Sequence, residues 1–142
     1  MEHNSYLSLK SGSDIRGVAV EAEGHPVTLT EEAVSDIVHA FMKWLSKKTG
    51  KQTLNIAVGY DVRISSEDIQ KVVEKAIMET GGDAINCGLC STPSMFVYLR
   101  ENSDYCDASI MITASHLPYY MNGLKMFTLE GGLSGNEIEE IL

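Results

Sequence analysis

The sequence predicts an α/β fold, a four-stranded mixed sheet with helices on both faces, on three observations. Short apolar runs at 54–60, 84–87, 110–113 and 124–128 alternate with segments whose apolar residues recur every three or four positions. The connections between the first three runs are long enough for right-handed βαβ crossovers, which makes those strands parallel. The last two runs lie too close together for a crossover, so the fourth strand turns back antiparallel to the third. With 142 residues, 44% of them hydrophobic, the chain can form one globular domain with a sizeable core.

Each element has a local cause. Thr30 can cap a helix in which Ala33, Val34, Ile37, Val38, Phe41, Met42 and Leu45 share one face, ending near Lys47, Lys48 and Gly50. Beyond the strand at 54–60, Ser65 and Asp68 have capping-box spacing ahead of a helix whose face is Ile69, Val72, Val73, Ala76 and Ile77. Gly81 and Gly82 stop it. A strand at 84–87 follows, and Pro93, at a position where no helical N–H bond is lost, opens a third helix through about Leu99. The last two strands flank a loop, a hairpin tip that holds side chains in water on a rigid base. Ser134 and Glu137 make another capping-box pair, but the helix they announce has barely two turns before Leu142. So short a helix is marginal by itself in water, and the expectation is a chain cut from a longer protein.

Composition narrows the function classes. A formal net charge of −9 argues against nucleic acid or an anionic membrane as partner, since either needs a basic patch. No stretch approaches transmembrane length, and residues 1–10 lack a basic start followed by an apolar run, so the expected location is cytoplasmic. Three cysteines, Cys87, Cys90 and Cys106, cannot all pair within one chain, which fits a reducing compartment. Cys87 and Cys90 nevertheless have C-x-x-C spacing between a strand and a helix start, where a helix N-terminus lowers a thiol pKa. A thiol–disulfide oxidoreductase therefore stands beside the plainer reading of two small apolar residues at a strand end.

The densest chemistry lies in Thr113-Ala114-Ser115-His116-Leu117-Pro118 and Asn122-Gly123-Leu124-Lys125-Met126-Phe127, which put a serine, a histidine and a lysine into one short loop. Phosphoryl transfer to and from a hydroxyl needs a nucleophile to carry the group, cations to offset its oxygens, and a proton acceptor. Ser115 supplies the first, Arg16 and Lys125 the second, and His116 or Lys125 the third. Singly, each has a duller use: Ser115 as a turn former, His116 as a surface residue, Lys125 as the solvent-facing member of an edge strand, Arg16 as an ion-pair partner.

Jointly, that stretch resembles the phosphoserine loop of the phosphohexomutases, the family of phosphoglucomutase, phosphomannomutase and phosphoglucosamine mutase. Three further segments are similar to family patterns in family order: Gly12-Ser13-Asp14-Ile15-Arg16-Gly17, Gly59-Tyr60-Asp61-Val62-Arg63 and Gly88-Leu89-Cys90-Ser91-Thr92-Pro93. The resemblance covers nearly the whole chain but only the first of four domains. It implies a three-layer α/β/α domain over 1–142, with sheet order 2-1-3-4 when strands are counted along the chain. It also implies Ser115 as phosphoserine, with Arg16, His116 and Lys125 around it. The phosphoryl group would move between the 1- and 6-positions of a hexose phosphate through a hexose bisphosphate. A magnesium ion would take one ligand from Ser115 and the rest from a second domain, and the remaining domains of the polypeptide would be partners, leaving this domain inactive when isolated. Leu117 stands where the pattern most often has Asn and cannot hydrogen-bond through its side chain, which bears on sugar preference. Ser13 also departs from the residue many members carry there. A non-catalytic, mutase-like binding module is the third reading.

Overall fold

In the computed structural model, which describes residues 5–142, a 3-10 turn at Leu7–Leu9 leads into β1 (Lys10–Ser11) and β2 (Asp14–Val18). There follow α1 (Glu31–Thr49), β3 (Asn55–Tyr60), α2 (Ser66–Glu79), β4 (Asp83–Leu89), α3 (Thr92–Glu101), β5 (Ala108–Ile112), β6 (Met121–Thr128), β7 (Gly131–Gly132) and α4 (Gly135–Ile141). The expectations for 1–10 and for a domain over 1–142 extend into residues 1–4, which lie outside the described residues.

The sheet runs β1-β2-β6-β5-β3-β4, with β7 added on β6. Its β4-β3-β5-β6 portion has the expected 2-1-3-4 order: β3 is parallel to β4 and β5, and β6 is antiparallel to β5. Among the described residues, seven strands replace the expected four. The decisive addition is β2, which pairs antiparallel with β6, Ile15 opposite Leu124 and Arg16 opposite Gly123. Its alternation, with Ile15 fully buried between partly exposed Asp14 and Arg16, is short and interrupted by Gly17, which makes a weak strand signal. Because β2 covers its far side, β6 is an interior strand, and Lys125 is not the solvent-facing member of an edge.

Two apolar clusters make three layers. Ile15, Ile56, Val58, Ile110, Ile112, Leu124 and Met126 line one sheet face under α1, α2 and α4, and Ala57, Met111 and Phe127 line the other under α3. All seven residues expected on the first helix face are buried. Thr30 Oγ1 accepts the Ala33 N–H at 3.0 Å, a cap worth about 1 kcal/mol. Gly50 ends α1 in the left-handed conformation that glycine adopts without steric cost. The second helix begins differently from expectation. Ser65 has helical backbone angles, so its hydroxyl cannot take the extended cap geometry, and it accepts instead from Asn122 Nδ2 at 2.8 Å. α3 is capped by a Ser91–Ser94 box, with Pro93 in the first turn, and α4 by the expected Ser134–Glu137 box. Ile138 and Ile141 bury α4 against the core, which holds a helix too short to persist alone. No helix of the described residues is long and apolar enough to cross a membrane.

Candidate active site

The connection between β5 and β6 turns at Ser115, whose φ of +57° makes it the one described non-glycine residue in the left-handed region. That conformation costs an L-residue about 1–2 kcal/mol, so surrounding contacts must hold it. They come from the turn after β3. Asp61 Oδ2 accepts from Thr113 Oγ1 at 2.6 Å, and Thr113 Oγ1 accepts the Ser115 N–H at 3.0 Å. Arg63 then closes the loop from outside, donating to the carbonyls of Ser115 at 2.6 Å, Pro118 at 2.8 Å and Met121 at 3.2 Å. Its Nε lies 3.6 Å from Asp61, and its side chain is only 10% exposed. At the start of β6, fully buried Asn122 ties the same loop to α2 through Ser65 and Ser66. The Asp61 and Arg63 segment was recognised as a pattern in the sequence, but its bracing role was not. An acid and a base two apart directly after a buried strand were the available signal.

With the backbone fixed, the Ser115 hydroxyl stands exposed and lies 3.4 Å from His116 Nδ1. The other two expected residues form a second group. Arg16 on β2 and Lys125 on β6 share one carboxylate: Asp14 Oδ1 accepts from Lys125 Nζ at 2.8 Å, and Oδ2 from Arg16 Nη2 at 3.2 Å. Lys125 lies on β6, within the strand expected at 124–128, so it stands apart from the loop that carries Ser115 and His116, and Asp14 is a site residue that the sequence reading missed. The two groups are joined through the sheet. Arg16 faces Gly123, and the Gly123 carbonyl accepts the Thr113 N–H at 3.0 Å, two residues before Ser115. Gly123 permits this closeness, since a Cβ there would overlap the Ile15 carbonyl oxygen and come within 2.9 Å of the Thr113 carbonyl oxygen.

Beside the brace, a surface cavity of about 350 Å³ is walled by Tyr60, Asp61, Val62, Arg63, Ile64 and Leu89. Val62 is 85% and Ile64 76% exposed. Among the described residues no group of three or more His, Cys, Asp or Glu could hold a metal ion. Ser115 offers one neutral oxygen, so these residues do not by themselves fit a magnesium ion.

Burial works against Cys87 as a redox thiol. Cys87 is pushed up from its ordinary value, first by burial and then by neighbouring Cys90 and Cys106, where the C-x-x-C reading expected a lowered thiol. Cys90 Sγ packs 3.9 Å from Met111 Sδ in the α3-side core, and Cys106 is buried.

The class is therefore an α/β/α domain that carries a strained, braced serine between β5 and β6 and a carboxylate-bridged arginine and lysine on β2 and β6. The family described as phosphoglucomutase/phosphomannomutase, alpha/beta/alpha domain I, matches residues 8–142. The chain belongs to this family and corresponds to its domain I. A phosphoglucosamine mutase of Nautilia profundicola is 38% identical over 112 residues, covering 79% of this chain and 24% of that protein. A phosphoglucomutase of Neisseria gonorrhoeae is 30% identical over 129 residues, covering 91% of this chain and 26% of that protein. The crystal structure of a phosphoglucomutase/phosphomannomutase family protein from Burkholderia thailandensis superposes with a TM-score of 0.77 at 25% identity, covering 94% of this chain and 29% of that one. The chain spans about a quarter of the length of these curated relatives.

Proposed function

We propose that Ser115 carries the transferred group in a phosphohexomutase, which moves phosphate between the 1- and 6-positions of a hexose phosphate through a hexose bisphosphate. The supporting observation is the backbone at Ser115, strained into φ +57° and held there by Thr113, Asp61 and Arg63. A mere turn former would be replaced by glycine without loss; a serine kept in this conformation presents its hydroxyl on a fixed mount. In the forward half-reaction a sugar hydroxyl attacks the phosphorus on Ser115, the bond from phosphorus to Ser115 Oγ breaks, and the hydroxyl proton passes to the His116 imidazole, whose Nδ1, 3.4 Å from Ser115 Oγ, returns a proton to the departing oxygen. The bisphosphate turns around, and its other phosphoryl group returns to Ser115 by the reverse steps. Arg16 and Lys125 offset charge on the equatorial oxygens.

The ion implied by the family, magnesium, would draw its remaining ligands from outside these residues, and no step above runs through it. Exposed Val62, Ile64 and Leu89 beside the brace support the remaining domains of the polypeptide as the partners that cover this face, leaving the isolated domain inactive. Three free thiols support the cytoplasmic setting. Glucosamine phosphate is the first sugar to try, on the strength of the phosphoglucosamine mutases among the relatives. The test is Ser115→Ala in the whole polypeptide: loss of turnover on every hexose phosphate is expected, and near-normal turnover overturns the assignment.

A further inference from the structure

Asp14 is the anion that Arg16 and Lys125 hold, and it holds them incompletely. Arg16 carries five N–H donors and Lys125 three, while the one carboxylate takes a single bond from each, at 3.2 and 2.8 Å. Arg16 Nε is buried and has no hydrogen-bond partner. The three side chains remain reachable from solvent, at 15%, 21% and 27% exposure for Asp14, Arg16 and Lys125. All three are mounted on paired strands, Asp14 opposite Ser11, Arg16 opposite Gly123 and Lys125 opposite Met111, so the sheet ladder fixes where their backbones stand. A planar carboxylate thus occupies a cation pair whose spare donors suit a larger, more highly charged oxyanion.

We propose that Asp14 is a built-in stand-in for the phosphoryl group, keeping Arg16 and Lys125 aligned before an oxyanion arrives and surrendering them when it does. This rests on the phosphoryl-transfer reading of the site. Asp14 touches neither Ser115 nor His116 and is a positioning residue. Its charge also opposes every anion that enters. Asp14 therefore limits how tightly phosphate is gripped, which favours release of the sugar phosphate after each transfer.

Inorganic phosphate is the probe, titrated calorimetrically into wild type, Asp14→Asn and the double variant Asp14→Asn/Lys125→Met. Removing one opposing charge at a partly screened site is expected to tighten phosphate binding about tenfold in Asp14→Asn. The double variant should lose that gain. Unchanged or weaker binding by Asp14→Asn, with its circular dichroism spectrum retained, overturns the proposal. A readout independent of any variant is the Asp14 carboxylate carbon resonance of the wild type, which should shift as phosphate saturates the site; an unmoved resonance overturns the proposal equally. Neither readout uses turnover, so a mutase assignment lost on Ser115→Ala is distinguishable from failure of the stand-in.

Discussion

Arg63→Met removes the clamp on the Ser115 loop while keeping most of the side chain's apolar bulk. Three carbonyls lose their donor, at 2.6, 2.8 and 3.2 Å, and Asp61 loses the guanidinium 3.6 Å away. A hydrogen bond to a charged group contributes about 1.5–3 kcal/mol, so the three together carry at most roughly 5–9 kcal/mol. The bonds to Ser115 and Pro118 lie at the surface, where water replaces the lost donor, which leaves a net loss of about 2–3 kcal/mol. Most of it should fall on the loop, because β5 and β6 keep their own ladder. Urea denaturation reads the global part, and amide hydrogen exchange across 113–121 reads the local part. Turnover of the whole polypeptide should fall with the loop's protection. Arg63→Lys should recover little of either, since a point charge cannot serve three carbonyls in a fixed fork. A stability change under about 0.5 kcal/mol, together with unaltered exchange across 113–121, would refute the bracing argument.

Two further outcomes follow from the same geometry. Gly123→Ala places a methyl on the Ile15 and Thr113 carbonyls, both backbone, so β2 must separate from β6. A loss above about 3 kcal/mol in a denaturant titration is expected, and a loss below about 1 kcal/mol would mean that the strands approach less closely than described. Glu137 is held below the ordinary value of 4.5, first by the Ser134 N–H and then by Lys48. A carboxyl lowered by folding stabilises above its unfolded pKa and loses that contribution as pH falls through the folded value. Glu137→Gln should therefore melt lower than wild type at pH 7, and the two melting curves should converge as pH drops below about 4.5. A gap that persists there would place the effect in packing instead of in the charge.

Much of the fold was legible because its causes are local. The burial of α1 follows the apolar spacing from Ala33 to Leu45, the Thr30 hydroxyl opens that helix and the left-handed backbone of Gly50 ends it, and Ser134 with Glu137 opens α4. Each involves residues within a few positions, where periodicity and capping act. Ser65 failed the same reasoning because a distant residue, Asn122, claimed its hydroxyl. β2 failed it because five residues with a glycine among them carry little alternation, and only pairing with β6 makes them a strand.

The sequence by itself determined the helices and the core strands with their antiparallel return, and it singled out the side chains proposed here to handle a phosphoryl group. The tertiary structure alone decided how those side chains are held. Asp61 reaches Thr113, Arg63 reaches Ser115, and Asp14 reaches Lys125 across separations of 52, 52 and 111 residues. Such contacts leave no period or spacing in the chain, because what brings their partners together is the burial of β2, β3, β5 and β6 in one sheet.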